Sequence, residues 1–527
     1  METVRNILFV MCDQLRWDYL SCYGHPTLAT PNIDALAKRG VRFERTYVQS
    51  PVCGPSRMSY YTGRYVDSHR AFWNFVPLPV GEQTIGDYLR PHGMRVALAG
   101  KTHMVADTSG MQRLGMVKGS ERAVLLEECG FEPYDRDDGI HPNLFGSRVE
   151  TPYCDYLRGK GYGGDNPWHD YANSAQGPDG EILSGWKMRH ASLPANIDEK
   201  DSETPYMIDR AMSFIREQGD APWFLHLSLI KPHWPYIVPA PYNDMYGPDD
   251  VKRAARSQAE RDNPHPVYDA FMQHDESLSF SRDEVRSTVV PTYMGLVKQV
   301  DDHLGRLFAF LRETGRDKDT MIVFTSDHGD YLGDHWLGEK ELFHDASSRV
   351  PLIVVDPRAA ADATRGTVQR NLVEAIDLLP TFLDAVGAEV PTHILEGRSL
   401  QPLLHGAGAN TPWREVVFSE FDYSFRSRTR SRLGRELDGC RCFMAFDGRW
   451  KYVYYDGFRP QLFDLVNDPD ELVDLGNDSA RAPVRARMHE CLFDWLRHRT
   501  LRQTAPARMV ERWTEVSEKG GILLGDW

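Results

Sequence analysis

The chain has 527 residues, too many for one small core, so length alone implies two or more domains, or one large α/β domain with an appendage. Its 61 basic against 76 acidic residues give a net charge of −15. That excludes a general nucleic-acid binder, because a phosphate backbone needs a basic face. The first apolar run, at 7–12, is too short for a secretory core or for a membrane span of roughly 20 residues. The cytoplasm is therefore the expected location, with no membrane partner. The eight cysteines are thinly spread and are expected as reduced thiols.

In chain order, residues 7–11 form a continuous apolar run, as expected of a strand buried on both faces. Thr30-Pro31 predicts a helix N-cap followed by proline in the first turn, Ile33, Leu36 and Ala37 its apolar stripe, and Gly40 its end. An extended stretch follows from Val41. Residues 84–90 predict a helix, 95–98 a strand, 208–215 a helix and 223–229 a strand. Residues 293–311 carry Leu296, Val300, Leu304, Phe308 and Leu311 on one helical face, with Asp301-Asp302-His303 expected on the solvated side. Two more apolar strands are expected at 321–325 and 351–355. Strands alternating with helices imply a mainly parallel sheet covered on both faces. Residues 104–200 break this pattern and predict an insertion near the pocket mouth, with Trp168, His169 and Tyr171 as wall candidates. After about 385 the style changes to short antiparallel strands at 415–421, 442–446, 450–455 and 461–464, then a helix at 482–498.

Asp13 and Gln14 directly follow the first buried strand, and Asp327 and His328 directly follow another. Ligands of open parallel sheets bind beyond the carboxyl ends of the strands, so these donors can converge on one divalent cation. Either pair alone is as readily a loop cap. The third element is Cys53-Gly54-Pro55-Ser56-Arg57. Pro55 suits a first helical turn, which puts Cys53 at a helix N-terminus, where free N–H groups favour an anion. Arg57 returns to the same face four residues on. A lone buried cysteine beside a structural arginine is the commoner case, so the motif needs company.

Company comes from a resemblance. Cys53-Gly54-Pro55-Ser56-Arg57 resembles the signature of the sulfatase family of the alkaline phosphatase superfamily. The resemblance continues through the 6–14 and 30–36 segments, Gly100-Lys101-Thr102-His103, Lys231-Pro232-His233-Trp234-Pro235, Asp327-His328-Gly329-Asp330, the 349–354 strand, Trp450-Lys451-Tyr452 and the 461–465 segment. It thus covers most of the chain except 104–200 and the last thirty or so residues. It implies that a formylglycine-generating enzyme oxidises Cys53 to formylglycine, whose hydrated form attacks sulfur to give a covalent sulfo-enzyme. It also implies Asp13, Gln14, position 53, Asp327 and His328 as ligands of one divalent metal ion, with Asp327 assisting deprotonation and Arg57 stabilising the site. Lys101, His233 and Lys340 are implied around the transferred group, His103 as the base that releases sulfate, and Asn74 as a hydrogen-bonding partner of the substrate. His226, mid-strand, is read as a core histidine.

Many sulfatases carry two consecutive carboxylates where this chain has Asp13-Gln14, and asparagine where it has His328. The Gln and His versions resemble the branch of phosphonate monoester hydrolases and choline-sulfatase-like enzymes. Calcium is expected first and manganese is the alternative, since neutral Gln and imidazole lower the ligand charge and hardness. Lys101 and His103 match the sulfatase pattern instead. The expectation is therefore a sulfate monoester hydrolase (arylsulfatase-like), with a phosphonate monoester or phosphodiester hydrolase on the same site as the alternative and a non-catalytic binder of sulfated ligands as a remote third. The expected architecture is α/β, a large central mixed, mostly parallel sheet flanked by helices, alkaline-phosphatase-like, over 1–385. A smaller C-terminal domain with an antiparallel sheet covers 386–500. A tail over 501–527 carries Trp513, Ile522, Leu523, Leu524 and Trp527 and is expected to contact a partner subunit in a homo-oligomer, a dimer or tetramer.

Overall fold

The computed structural model describes residues 3–74, 76–139, 150–406, 412–499 and 505–519, the last with side chains as far as Trp513. In chain order the first ten strands are β1 (Asn6–Asp13), β2 (Val41–Tyr47), β3 (Arg95–Gly100), β4 (Glu132–Arg136), β5 (Ser174–Gln176), β6 (Ile182–Ser184), β7 (Trp223–Pro232), β8 (Thr320–Ser326), β9 (Arg349–Val355) and β10 (Thr367–Glu374). Among the described residues, eight of them form the central sheet in the order β10-β2-β9-β8-β1-β7-β3-β4, while β5 and β6 pair separately. Only β9 runs antiparallel to its neighbours β2 and β8. The mixed, mostly parallel sheet is thus as expected.

β1 lies at its centre, paired in parallel with β7 and β8. Side chains of a strand alternate between faces. Leu8, Val10 and Cys12 accordingly join one core, with Ile33 and Leu36 of α1 (Pro31–Arg39) and the helices Glu203–Gln218 and Asp283–Glu313. Ile7, Phe9 and Met11 join the other, with Met58 and Tyr61 of α2 (Cys53–Thr62) and Leu379, Phe382 and Leu383 of the helix Leu378–Val386. Covering both faces forces the ligand-bearing positions to the strand ends, where the backbone leaves the sheet.

A second sheet has β11 (Val417–Asp422), β12 (Arg441–Phe446), β13 (Trp450–Tyr455) and β14 (Gln461–Asp464) as an antiparallel meander, closed by the helix Ala482–Arg497. It shares a core with the larger sheet, where Tyr47 of β2 meets Phe446 of β12 at 5.2 Å between ring centres. Trp513 is more than half exposed on the helix Ala507–Lys519. Ile522, Leu523, Leu524 and Trp527 lie outside the described residues. Among the described residues no helix is long and apolar enough to cross a membrane.

Thr30 is the N-cap of α1, Pro31 its first residue and Gly40 its end, as expected, although the Thr30 side chain makes no capping hydrogen bond. The amides of Asn32 and Ile33 donate instead to Asp301 Oδ1, at 3.1 and 2.8 Å. Asp301 is therefore buried as a helix cap supplied from a distant helix, and His303 is buried against Glu199 at 2.6 Å, rather than on a solvated face. The 104–200 stretch contributes β4, an edge strand of the central sheet. Within that stretch, Trp168 is buried in the core rather than lining a pocket wall.

His226 is a core histidine as read. It stacks on Phe9 at 4.6 Å, and its Nδ1 and Nε2 meet the Phe9 carbonyl and the Tyr61 hydroxyl at 3.1 and 2.9 Å. Burial pushes its imidazole down to about 3, and that of His69 likewise to about 3. The unfolded chain takes up these protons below roughly pH 6.5 while the folded chain does not. Stability is therefore full above that pH and is lost as pH falls towards 3, by about 1.4 kcal/mol per unit and per group. Urea midpoints measured from pH 7 to pH 4.5 should fall accordingly, and His226→Phe should remove one proton from the slope. An unchanged slope in that variant would contradict the assignment.

Candidate active site

The turn after β1 places Asp13 and Gln14, and the turn after β8 places Asp327 and His328. Gln14 has φ +65, uncommon for a residue with a Cβ, and its N–H donates to Asp327 Oδ1 at 3.0 Å, which ties the two strand ends together. α2 points its N-terminus at this junction. All ten of its residues are buried, and the Ser56 hydroxyl donates to the Asp327 carbonyl at 2.6 Å. Gly54 is required here: a Cβ would stand 3.0 Å from Asn74 Cα and Oδ1, and the Gly54 N–H donates to that same Oδ1 at 2.8 Å. Asn74 is thus committed to the helix N-terminus. Gly100 ends β3 with φ +112, and a Cβ there would meet the Ser228 carbonyl at 1.9 Å, so glycine lets the chain turn and deliver Lys101 and His103.

The side chains converge. Ligand atoms of Asp13, Cys53, Asp327 and His328 all lie within 4.8 Å of one another, and all four residues are buried. Cys53 Sγ is 3.1 Å from His328 Nε2 and 3.7 Å from Asp13 Oδ1. Arg57, fully buried, donates to Asp327 Oδ2 at 2.8 Å, Asp13 Oδ2 at 3.3 Å, Ser228 Oγ at 2.7 Å and the Lys101 carbonyl at 2.9 Å. The Lys101 ammonium pairs with Asp13 Oδ2. Lys340 donates to Gln14 Oε1 at 3.0 Å and to His233 Nε2 at 3.2 Å. His103 stands beside Cys53, close enough to favour its thiolate, and its buried Nδ1 lacks a conventional partner.

Two tautomers follow from backbone carbonyls, which can only accept. His328 Nδ1 donates to the Gly329 carbonyl at 2.8 Å, which aims Nε2 at Cys53 and the carboxylates. His233 Nδ1 donates to the Trp234 carbonyl at 2.7 Å, so its Nε2 accepts from Lys340.

The charges agree with this geometry. Burial would raise the Cys53 thiol, but Lys340, His328 and Lys101 overcome it and hold the thiol well below its ordinary value. Burial and Cys53 oppose ionisation of Asp13, yet Lys101, His233 and Arg57 keep its carboxyl below the usual range. Burial would lower His328, but Asp327 and Cys53 lift it to about 9. Burial pushes His233 down to about 4. The carboxylates and Cys53 thus favour positive charge at the inward-facing Nε2 of His328, the place where a cation would displace the proton. Two carboxylates, an imidazole and a fourth donor at such spacing fit a cation.

The structure therefore brings together Asp13, Gln14, Cys53, Arg57, Lys101, His103, His233, Asp327, His328 and Lys340, with Asn74 at the helix N-terminus. Sequence reasoning missed Ser228, Asp330 and Tyr236. Gln14 Nε2 donates to Asp330 Oδ2, and the Tyr236 hydroxyl donates to the same oxygen at 2.7 Å, which fixes the Gln14 amide with Oε1 towards Lys340. Asp330 stood inside a recognised motif but carried no role, and Tyr236 had no signal.

The family model "Sulfatase" matches residues 5–388. The chain belongs to the sulfatase family. A second model, "N-sulphoglucosamine sulphohydrolase, C-terminal", matches residues 333–498 of this sulfatase. The multifunctional alkaline phosphatase superfamily protein PehA of Trinickia caryophylli is 32% identical over 521 residues, 94% of this chain and 95% of its own. An arylsulfatase of Clostridium perfringens is 27% identical over 90% of each chain. The crystal structure of phosphonate monoester hydrolase of Agrobacterium radiobacter superposes with a TM-score of 0.81 at 30% identity, covering 95% of this chain and 97% of that one. The sulfatase is thus an enzyme of a family that hydrolyses sulfate or related esters.

Proposed function

We propose that this sulfatase hydrolyses sulfate monoesters of small alcohols or phenols through position 53. The observation that supports this reading is the placing of Cys53 at the N-terminus of α2, against Asp13, Asp327 and His328, with Lys101, His103, His233 and Lys340 near it. A divalent cation, calcium first and manganese second, would be held by Asp13, Asp327, His328 and position 53 with Gln14, and would supply Lewis-acid polarisation and acidify the attacking hydroxyl. Formylglycine at position 53, made by a maturing enzyme, would supply that hydroxyl and a second one whose deprotonation releases sulfate.

The remaining work falls to this chain's own side chains. Arg57 holds the two carboxylates in register through Nε and its terminal nitrogens. Lys101 pins Asp13 and offers a cationic edge to sulfate oxygens. Lys340 is the proton source for the departing alkoxide, directly or through His233 Nε2, which already accepts from it. His103, which stands beside Cys53, would take the proton from the second hydroxyl of position 53. We further propose a cytoplasmic location and a homo-oligomer joined through the 501–527 tail.

A phosphonate monoester hydrolase is the second reading, favoured by the TM-score of 0.81 to such an enzyme. Lys101 and His103 favour sulfate. Measuring kcat/KM for an aryl sulfate and an aryl phosphonate monoester with the same leaving group decides between them, on protein with determined metal content and Cys53 conversion. The sulfate ester should lead by about tenfold or more, a 1.4 kcal/mol difference in barrier. A phosphonate lead of that size would reverse the ranking. Binding of sulfated ligands without turnover in converted, metal-loaded protein would leave only a binder.

A further inference from the structure

The loop that delivers Lys340 is heavily contorted. Within ten residues Leu332, His335, Trp336, Glu339 and Glu341 all have positive φ, of 48, 53, 60, 63 and 96°. Residues with a Cβ resist this region, so such a loop keeps its shape only where outside contacts over-determine it. Glu341, next to Lys340, is 3% exposed and receives Arg426 from the segment after β11. Arg426 Nε lies 2.8 and 2.9 Å from the two Glu341 oxygens, and its terminal nitrogen also bonds Oε1. The guanidinium lies 5.7 Å from the Trp73 ring centre, and Phe425 stacks on the same ring at 5.5 Å and 4°. Trp73 precedes Asn74, the partner of the Gly54 N–H. Two consecutive residues from the smaller sheet's side of the molecule therefore grip the neighbour of Lys340 and the neighbour of Asn74.

We propose that the Arg426–Glu341 ion pair is a positioning device for Lys340, setting the ammonium at the distance from which it protonates the leaving oxygen. The proposal rests on the reading of Lys340 as that proton source. A bidentate arginine fixes both position and plane of a carboxylate, which a single contact does not. With Glu341 held on one side, and Lys340 bonded to Gln14 and His233 on the other, the ammonium has little freedom along the loop. Loss of the clamp lets the loop relax and moves the proton donor, and with it the hydrogen bond to Gln14, while the clamp itself makes no contact with position 53.

The test is the dependence of kcat/KM on leaving-group pKa, over a series of aryl and alkyl sulfate esters, for wild type, Lys340→Ala, Arg426→Gln and Glu341→Gln. A nitrophenolate departs with little protonation and a simple alkoxide needs it fully. Arg426→Gln should stay within about threefold of wild type on the nitrophenyl ester and lose about tenfold or more on the alkyl ester, a share of the ~10²–10⁴ that a general acid supplies. Its slope should shift in the direction of Lys340→Ala, Glu341→Gln should match it, and Arg426→Lys should restore part of the loss. An equal loss across the series, or none, overturns the proposal. Where Arg426→Gln fails to fold, a slope unchanged in Glu341→Gln overturns it. A Lys340→Ala variant whose slope equals that of wild type removes the parent reading and this proposal with it.

Discussion

Replacing Cys53 with alanine is expected to abolish turnover, with kcat/KM down by on the order of 10⁴ or more, the scale seen when a covalent nucleophile is removed. The fold should survive. Cys53 is 1% exposed, but its Sγ contacts only the cluster of His328, Asp13 and their neighbours, so its loss opens a void of about one sulfur atom. A small cavity and a lost polar contact together cost about 1–2 kcal/mol. Cys53→Ser should be equally inactive, since a serine at this position has no second hydroxyl to release the sulfate. Activity in Cys53→Ser approaching wild type would mean that position 53 works as an ordinary alcohol or not at all. Initial rates on an aryl sulfate, with circular dichroism as the control for folding, check both variants.

Asp327→Asn is expected to have the second largest effect, because the carboxylate serves two purposes. It is one wall of the cation cradle, and it is the nearest counter-charge of Arg57, at 2.8 Å with both side chains fully buried. Around it stand the cations Arg57, Lys101 and Lys340, with His328 lifted to about 9, against the carboxylates Asp13 and Asp327 and the depressed Cys53 thiol. Removing one negative charge therefore leaves an excess of buried positive charge rather than relieving repulsion. Breaking one half of a buried pair costs about 3–5 kcal/mol. Metal content should fall by more than the ~10–100-fold that a mere outer-shell partner costs, and kcat/KM with it. Metal analysis after dialysis, beside a urea denaturation curve, measures the two consequences separately. An Asp327→Asn protein with full metal content and unchanged stability would contradict both roles.

Much of this was legible in the residue order, and for identifiable reasons. β1, β7, β8 and β9 are buried on both faces, so each needs a continuous apolar run, and such runs stand out. Asp13, Gln14, Asp327 and His328 stand at the ends of two of those runs, which made them candidates by position, and the family resemblance then supplied the ligand role that position alone left open. Cys53 and Arg57 share a helical face by spacing. What escaped was structure whose cause lies elsewhere in the chain. β4, with Pro133 between charged residues, and β10, exposed along half its length, are edge strands and carry little apolar signal. The long helix Asp283–Glu313 begins well before Tyr293 even though Pro291 sits inside it, a residue that reads as a break. Asp301 looked solvated because its partners, the amides of Asn32 and Ile33, are more than 260 residues away. The same holds at the site. Ser228, Tyr236, Asp330 and the Arg426–Glu341 pair act through contacts that no local pattern encodes.

Position 53, once oxidised, is the proposed working group of the enzyme. Peptide mass analysis of several preparations, made with graded amounts of the maturing enzyme and matched for metal content, tests it most directly. The specific activity of each preparation is plotted against its fraction of formylglycine at position 53. A straight line through the origin is expected. Substantial activity in a preparation whose Cys53 is wholly unmodified would contradict it.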